Sequence, residues 1–419
     1  MYGVGGRSLG REFGWLWAAC GVSTVGTMLA FDAFPMIAIV VLHAGPAAVS
    51  ALAAAGLAAG AVIAVPLGPW VEFRRKRPVM IATDLIRFAA VISVPAAFAL
   101  GRLGFAQLVV VSVVVCAADI AFRAASGACL KAVVPPEGLL TANGRFESTA
   151  WTATMVGPPL GGLAIALFGP VTTVTADAVS YLLSALGIRA IGREESAPPA
   201  RPHPRTTFRR DDLLEGWRHI LGHPTLRPLF FNTVLVNGLI MATVPPLASL
   251  MLGPLGFALW QYGLAFGAPC IGGLIGARLS RRLVARHGQH RVMMATGVLR
   301  ACWVLGLVLV RPGVVGLVLV ATVELGLITS CGIFNPVFST YRLEQTGTDR
   351  VARTLSAWTV TGKAATAAMT GLWGALAGLA GPRAAIATAG VLMLATPLLL
   401  PRHARVPRQQ ERETAPSGV

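Results

Sequence analysis

The sequence predicts an all-α integral membrane protein, with twelve transmembrane helices arranged as two pseudo-symmetric six-helix halves. Three observations lead to this prediction. The chain is 55% hydrophobic and only 13% charged, long apolar stretches recur from one end to the other, and segments of the first half reappear in the second. Because a soluble domain carries roughly 25% charged residues, the composition excludes a water-soluble fold.

The apolar stretches are long enough to cross a membrane as helices. Crossing about 30 Å of hydrocarbon takes roughly 20 residues, and backbone in lipid must pair internally, as a helix or a closed barrel. These stretches lack the in-and-out alternation of barrel strands. The predicted spans are residues 14–42, 47–70, 79–101, 105–133, 146–168, 171–191, 229–252, 256–277, 292–310, 314–338, 356–380 and 384–401.

The distribution of basic residues predicts the orientation. Lys and Arg concentrate in the termini and the even-numbered connections, whereas the odd-numbered connections carry only Arg102, Arg311 and Arg383. Since basic residues stay on the cytoplasmic side, both termini are expected in the cytoplasm of a multi-pass cell-membrane protein. The net charge of +17 is therefore a topology signal. It points to anionic lipid as a partner rather than to nucleic acid.

Two sequence matches indicate an internal duplication. VMIATDLIR at 79–87 matches VMMATGVLR at 292–300, and AWTAT at 150–154 matches AWTVT at 357–361. The offsets are similar and the matches are in order. We expect an N-terminal six-helix half at 1–191, a cytoplasmic linker at 192–228, a C-terminal half at 229–401 and a disordered tail at 402–419. In the linker, apolar residues at helical spacing predict a short amphipathic helix on the cytoplasmic face; they are Leu213, Leu214, Trp217, Ile220 and Leu221.

The connection after the second span contains a recognisable pattern. Gly68 is followed four residues later by Glu72 and then by a basic run, which consists of Arg74, Arg75, Lys76 and Arg77. This pattern resembles the loop motif of the major facilitator superfamily. Phe73 stands where that motif usually has a basic residue, and Arg75 where it usually has a second glycine.

The fifth span contains a second motif, MVGPPLGG. It provides Gly157, Pro158, Gly161 and Gly162, and it resembles the antiporter motif of the exporters in that superfamily. Pro158 removes a backbone hydrogen bond, and the small residues allow a neighbouring helix to pack closely. DAVSYLLSAL in span 6 and NPVFSTYRL in span 10 resemble the bacterial drug-efflux branch that includes macrolide- and siderophore-exporter-like proteins.

This resemblance covers the whole chain and implies the major facilitator fold, with spans 1, 4, 7 and 10 around a central cavity. It therefore places Asp32, Asp119, Arg123 and Glu324 at that cavity. Asp32 and Glu324 are the deepest unpaired acids, near the bilayer midplane at about 1.5 Å per residue. Poor solvation favours the neutral form of a carboxylate, so such a group can carry a proton.

Each charge within the membrane also has a structural interpretation, because a buried charge needs a partner, a cavity or a function. Asp119 and Arg123 are four residues apart and can form a structural ion pair. Arg87 matches Arg300 in the repeat, which indicates a scaffold position with Asp84 as the partner. Lys363 is expected to extend its ammonium group toward the cytoplasm.

Together these features predict a secondary transporter, namely a proton-coupled exporter of small amphiphilic compounds such as drugs. An uptake carrier for a small nutrient, with the same fold, is the alternative. A polytopic membrane enzyme is disfavoured, because no catalytic constellation and no phosphate-binding GxxxxGK[ST] loop occurs. We expect no cofactor, no metal and a monomer whose partners are a small-molecule substrate, protons and membrane lipid.

Overall fold

The structure is a computed structural model that describes residues 9–30, 33–43, 67–192, 210–348 and 350–401, together with the single positions 52, 56 and 62. The described residues form helices joined by short turns, and no β-strand occurs among them. The all-α prediction is confirmed.

Seven helices belong to the first half of the chain. Five of them have at least 20 residues and are long enough to span a membrane, and α2 continues into a π-helical turn at Ile37–Val41. The helices are α1 (Gly10–Leu29), α2 (Ala33–Met36), α3 (Leu67–Glu72), α4 (Lys76–Ala99), α5 (Phe105–Val133), α6 (Leu139–Phe168) and α7 (Pro170–Arg189).

The second half begins after a short linker helix, α8 (Arg210–Gly222). It then contains α9 (Leu226–Leu252), α10 (Leu259–Gly267), α11 (Cys270–His287), α12 (Gln289–Cys302), α13 (Val314–Glu344), α14 (Val351–Ala380) and α15 (Pro382–Ala395). Short 3-10 segments follow α12 and α15, at Val304–Leu309 and Thr396–Leu399.

Ten helical segments of the described chain are long and apolar enough to cross a membrane. They correspond to the predicted spans 1, 3 to 10 and 12, and α14 is a thirty-residue helix at span 11. Most of span 2 lies outside the described residues. Three helices extend well beyond their predicted spans: α6 begins at Leu139, seven residues before the predicted start, α11 ends at His287, ten residues after the predicted end, and α13 ends at Glu344, six residues after the predicted end. The spans were predicted from apolar stretches, whereas these helices continue through polar residues beyond them.

The turns at one end of the bundle confirm the duplication. Gly101 and Gly313 have φ of 64° and 82°, and Gly169 and Gly381 have φ of 83° and 86°. The members of each pair are 212 residues apart. Positive φ favours glycine because it has no β-carbon. The residue after each glycine of the second pair is a proline at the first helical position, where its missing N–H costs nothing.

Contacts between the halves lie on both sides of the bundle. Helices α6 and α11 pack together on one side, α5 and α3 contact α14 on the other, and α6 also meets α13. We call the end of the bundle at which α4, α6, α9 and α14 begin the basic end. It carries the loop after α3 and the linker helix.

The linker helix α8 is present where an amphipathic helix was predicted, but its apolar stripe only partly faces outward. Ile220 is fully buried, and the Trp217 indole N–H donates to Thr361 Oγ1 on α14 at 2.9 Å. A β-carbon on Gly216 would lie 2.5 Å from the Arg353 carbonyl oxygen. Leu214 remains exposed. The helix therefore docks on α14, because the transmembrane helix extends far enough to cover one side of the stripe.

Candidate functional site

A cavity of about 470 Å³ lies between the two halves. Its walls come from α1, α4, α5 and α6 in the first half and from α13 and α14 in the second. On α1, the wall contains the hydroxyl groups of Ser23, Thr24 and Thr27. The charged side chains in the wall are Arg87, Asp119, Arg123, Glu147 and Arg342. Asp119 and Arg123 thus lie at the cavity, as the resemblance implied.

Asp119 is the centre of a cluster of charges. Arg123 Nε lies 2.9 Å from Asp119 Oδ2, and Lys363 Nζ lies 3.4 Å from the same oxygen. Arg87 Nη1 is 3.7 Å from Oδ1. Arg123 is 65% exposed, so its guanidinium faces the cavity. Three cations from α4, α5 and α14 therefore share one carboxylate, and Lys363 comes from the other half of the protein.

The prediction that Lys363 extends toward the cytoplasm is wrong. Its ammonium group instead contacts Asp119 and Cys116 Sγ, the latter at 3.5 Å. Helix α14 packs against α5, which brings the lysine to an acid that can neutralise it. An ion pair between the halves replaces the expected exposure to solvent.

Arg87 lies next to this cluster and is almost completely buried. It pairs with Asp84, the expected partner. Its guanidinium lies 4.5 Å from the ring centres of both Phe122 and Tyr181. Such stacking is favourable for arginine. Its counterpart Arg300 is also buried, but it bonds to the amide of Asn232 and lies over the Phe334 ring.

Glu324 lies away from the cavity. It is only 8% exposed, and no hydrogen bond or ion pair joins it to another residue in the described part of the chain. Tyr262, Cys270 and Cys331 are its titratable neighbours. Asp32, the other deep acid predicted from the sequence, lies outside the described residues.

Glu147 is a cavity residue that sequence analysis missed. Its Oε1 accepts hydrogen bonds from Asn335 Nδ2 of α13 at 2.7 Å and from Trp151 Nε1 at 2.9 Å. The apolar stretch begins at residue 146, which placed Glu147 at a span end. Since α6 begins at Leu139, Glu147 lies two turns inside the helix. Its spacing of four residues from Trp151 was the one available signal.

The loop motif connects the two halves. Glu72, at the end of α3, is 2% exposed, and its Oε2 lies 3.1 Å from Arg353 Nε of α14. The backbone N–H of Arg353 donates to the same carboxylate oxygen at 3.3 Å. Arg353 also pairs with Glu215 of the linker helix α8. The motif acid, the second half and the linker therefore meet at one arginine.

The other loop-motif residues stabilise the turn itself. Gly68 lies within α3, and Lys76 Nζ donates to the carbonyl oxygens of Val71 and Arg74 at 3.0 and 2.9 Å. Arg77 Nη1 donates to the carbonyl of Ile191 at 2.9 Å. Arg74 lies over the Trp70 ring, with 5.8 Å to its centre, and Arg75 is exposed.

The second motif is a contact surface for α1. A β-carbon on Gly157 would lie 2.5 Å from Met28 Cβ, and one on Gly161 would overlap the Leu29 carbonyl group. Gly162 faces open space. Helix α6 continues through Pro158. Gly157 and Gly161 therefore allow close packing, and Gly162 does not contribute to it.

The basic end of the cavity is closed. Lys131 Nζ donates to the Leu343 carbonyl at 2.7 Å, and Asn143 Nδ2 donates to Thr340 Oγ1 at 2.9 Å. Farther from this end, Asn335 with Glu147 and Lys363 with Asp119 also join the two halves. Among the described residues, no group of three or more His, Cys, Asp or Glu side chains is placed to hold a metal ion.

A many-helix membrane bundle that holds a charged cavity between two repeated halves has the architecture of a secondary transporter. The Major Facilitator Superfamily model matches residues 16–331. The chain therefore belongs to the major facilitator superfamily, and it is a multi-pass transporter of the cell membrane rather than an enzyme.

Characterised relatives agree with the resemblance to the drug-efflux branch. The chain is 31% identical over 245 residues to proteins named multidrug efflux pump Tap from Mycobacterium tuberculosis and Mycobacterium bovis. That match covers 55% of this chain and 56% of theirs. A protein of the same name from Mycolicibacterium fortuitum is 28% identical over 286 residues, or 65% of this chain and 67% of that protein. The chain thus spans about half the length of the first relatives.

Solved structures confirm the fold. A bacterial homologue of the iron transporter ferroportin, in an outward-facing state, superimposes with a TM-score of 0.79 at 14% identity, covering 93% of this chain and 98% of that one. The human organic anion transporter MFSD10 (TETRAN) gives 0.74 at 15% identity, covering 94% and 100%.

Proposed function

We propose that this transporter is a proton-coupled exporter of small amphiphilic compounds, such as drugs, that works by alternating access. In this proposal the basic end faces the cytoplasm, both termini are cytoplasmic, and the protein acts as a monomer. The excess of basic residues at that end supports the orientation. The described state, closed at the basic end, is then the outward-facing state.

One observation carries the proposal: a carboxylate in the cavity wall accepts a hydrogen bond across the interface between the halves. Asn335 on α13 donates to Glu147 on α6 at 2.7 Å. A hydrogen bond to a charged acceptor is stronger than one to a neutral acceptor. A proton that binds Glu147 from the open side of the cavity therefore weakens closure at the basic end. In an exporter driven by proton entry, a proton must bind from outside before the cytoplasmic end opens, and this bond provides that coupling.

The remaining acids complete the coupling set. We propose that Asp119 and Arg123 hold the halves together through Lys363, and that Asp32 and Glu324 exchange protons. Glu324 has no cation within bonding distance among the described residues. Unpaired acids inside membrane bundles are typical of proton relays. We further propose that the two motifs, with Asp84 and Arg87, control the change between states.

The cavity walls support an amphiphilic substrate. Ser23, Thr24 and Thr27 provide hydroxyl groups on α1, and Phe122 and Phe146 provide aromatic surface. Ligand sites typically combine apolar surface with a few polar groups that set orientation. The relatives named as multidrug efflux pumps agree with such a mixed cavity.

The first prediction concerns Glu147 and Glu324. In inverted membrane vesicles with an acidic interior, the wild-type protein should accumulate a fluorescent amphiphilic dye. Glu147→Gln retains an oxygen that can accept from Asn335 but cannot exchange a proton. Because the amide keeps a neutral hydrogen bond to Asn335 but loses both the charge that strengthens it and the exchangeable proton, we expect proton-driven accumulation to fall about tenfold. Glu324→Gln should reduce it as well.

Glu137→Gln is the matched control, because Glu137 is an exposed glutamate ten residues before Glu147. Its dye accumulation should equal that of the wild type. Accumulation that persists after a protonophore collapses the gradient would contradict proton coupling. Accumulation only in right-side-out vesicles would indicate the uptake carrier instead.

A further inference from the structure

A second cavity, of about 800 Å³, is separate from the transport cavity, although α1 contributes to the walls of both. It is a groove between α6 of the first half and α11 of the second. On α1, the transport cavity contacts Cys20, Thr24 and Thr27, whereas this groove contacts Trp17 and Val25. The two cavities thus share α1 as a wall, but no residue lines both of them. We call this second cavity the basic groove.

Four arginines line the basic groove. Arg145 comes from α6, and Arg278, Arg281 and Arg282 come from α11. No acidic side chain lines the groove, and none of the four arginines forms an ion pair with an acid in the described ranges. All four are exposed. Four like charges at one site repel each other, so the site favours an anion.

The basic groove continues into an apolar one. That second groove has a volume of about 530 Å³, and Ala18, Val22 and Leu29 of α1 form one wall. The two grooves share Trp17, Val25 and Thr149. From Trp17 to Leu29 the apolar groove follows α1 for about 18 Å at 1.5 Å per residue. One leaflet of the hydrocarbon core is about 15 Å thick.

We propose that the two grooves together bind one anionic phospholipid, with its phosphate among the four arginines and one acyl chain along α1. The planar guanidinium group pairs with phosphate through parallel hydrogen bonds, and basic pockets between transmembrane helices bind anionic head groups. The site contains a charged end and an apolar end in the order and spacing of a lipid. A soluble anion would not occupy the apolar groove, because it has no apolar part to bury there.

The position of the site has a consequence for transport. Arg145 belongs to the first half and the other three arginines to the second, and α6 contacts α11 closely here: a β-carbon on Gly144 would lie 3.2 Å from the Ala277 carbonyl oxygen. A phosphate shared by both halves stabilises the state that is closed at the basic end. The bound lipid therefore favours that closed state without entering the transport cavity.

The test compares lipid retention by the full-length protein in nanodiscs of phosphatidylcholine with a minor fraction of phosphatidylglycerol. Native mass spectrometry should show phosphatidylglycerol enriched on the wild-type protein. The double variant Arg281→Gln/Arg282→Gln should lose at least fivefold of this enrichment, and Arg281→Lys/Arg282→Lys should retain part of it. Arg286→Gln, an exposed arginine of α11 outside the groove, is the matched control and should behave as the wild type.

A second variant tests the apolar groove with the arginines intact. Val22→Trp fills the groove and should also reduce phosphatidylglycerol retention at least fivefold, while inorganic phosphate should not displace the lipid. Equal retention by Val22→Trp together with displacement by inorganic phosphate would overturn the proposal in favour of a free-anion site. Equal enrichment in the wild type and the glutamine variant, or displacement of the lipid by the transported dye alone, would overturn it too. Thermal unfolding of each variant shows that it is folded.

Discussion

At the scale of single residues, the two halves use related positions differently. Aligning Gly127 with Gly332 sets Asp119 against Glu324. Asp119 is surrounded by three cations, whereas Glu324 contacts none in the described chain. Opposite charges stabilise an ionised carboxylate, so Asp119 is suited to hold helices together. An isolated buried acid is suited to proton exchange.

A double-mutant cycle tests the bridge between the halves. Asp119→Asn and Lys363→Met should each lower the transport rate, and the double variant should lose less than the sum of the two. The side chains are 21% and 27% exposed, so solvent reduces the attraction, and we expect a coupling of about 1 kcal/mol or roughly fivefold in rate. Lys363→Arg, which retains the charge, is the control. Additive losses would contradict a direct bridge.

At the scale of helices, close approach depends on individual glycines. Gly161 of α6 contacts the backbone of α1, while its neighbour Gly162 faces open space. Both glycines belong to the same sequence motif, but they lie on different faces of α6, and only Gly161 faces α1. Only the glycine that faces α1 is required for packing.

This difference predicts two unequal substitutions. Gly161→Ala should lower the midpoint of thermal unfolding in detergent, because overpacking costs about 1 to 3 kcal/mol. Gly162→Ala should stay within about 0.5 kcal/mol of the wild type and is the matched control. If both variants unfold at the same temperature, the α1–α6 contact does not have the described geometry.

At the scale of the whole molecule, transport requires the basic end to open. Glu72 with Arg353, Lys131 with the end of α13, and Asn143 with Thr340 all join the halves there. These bonds come from three different pairs of helices. The two halves must therefore separate together when the basic end opens.

A cross-link across this end should stop transport. In a background without the six native cysteines, Asn143→Cys and Thr340→Cys should react with a short bifunctional thiol reagent. The two native side chains are 2.9 Å apart, so the new thiols should lie within reach. The transport rate should fall in proportion to the cross-linked fraction, and each single-cysteine variant should be unaffected by the reagent. Full transport in a fully cross-linked sample would exclude alternating access at this end.

The sequence by itself determined the fold class, the duplication and most helix positions. The length of an apolar stretch and the distribution of basic residues can be read from the local sequence. In a membrane, the first determines where the chain spans and the second determines its orientation. Span 4 was predicted at 105–133, the bounds of α5. The linker helix was also predictable, because its apolar residues recur at helical spacing. The pair of Asp84 with Arg87 was predictable because residues three apart lie on one face of a helix.

The tertiary structure alone decided which distant charges meet. Lys363 contacts Asp119 across 244 residues, and Glu147 became a cavity residue once α6 proved to begin at Leu139. Helices that are apolar on every side carry little pattern to specify which faces pack together. The faces that meet depend on small residues such as Gly161 and on the fit between neighbouring helices. For that reason the sequence identified candidate charges, and the packing of the two halves decided their partners.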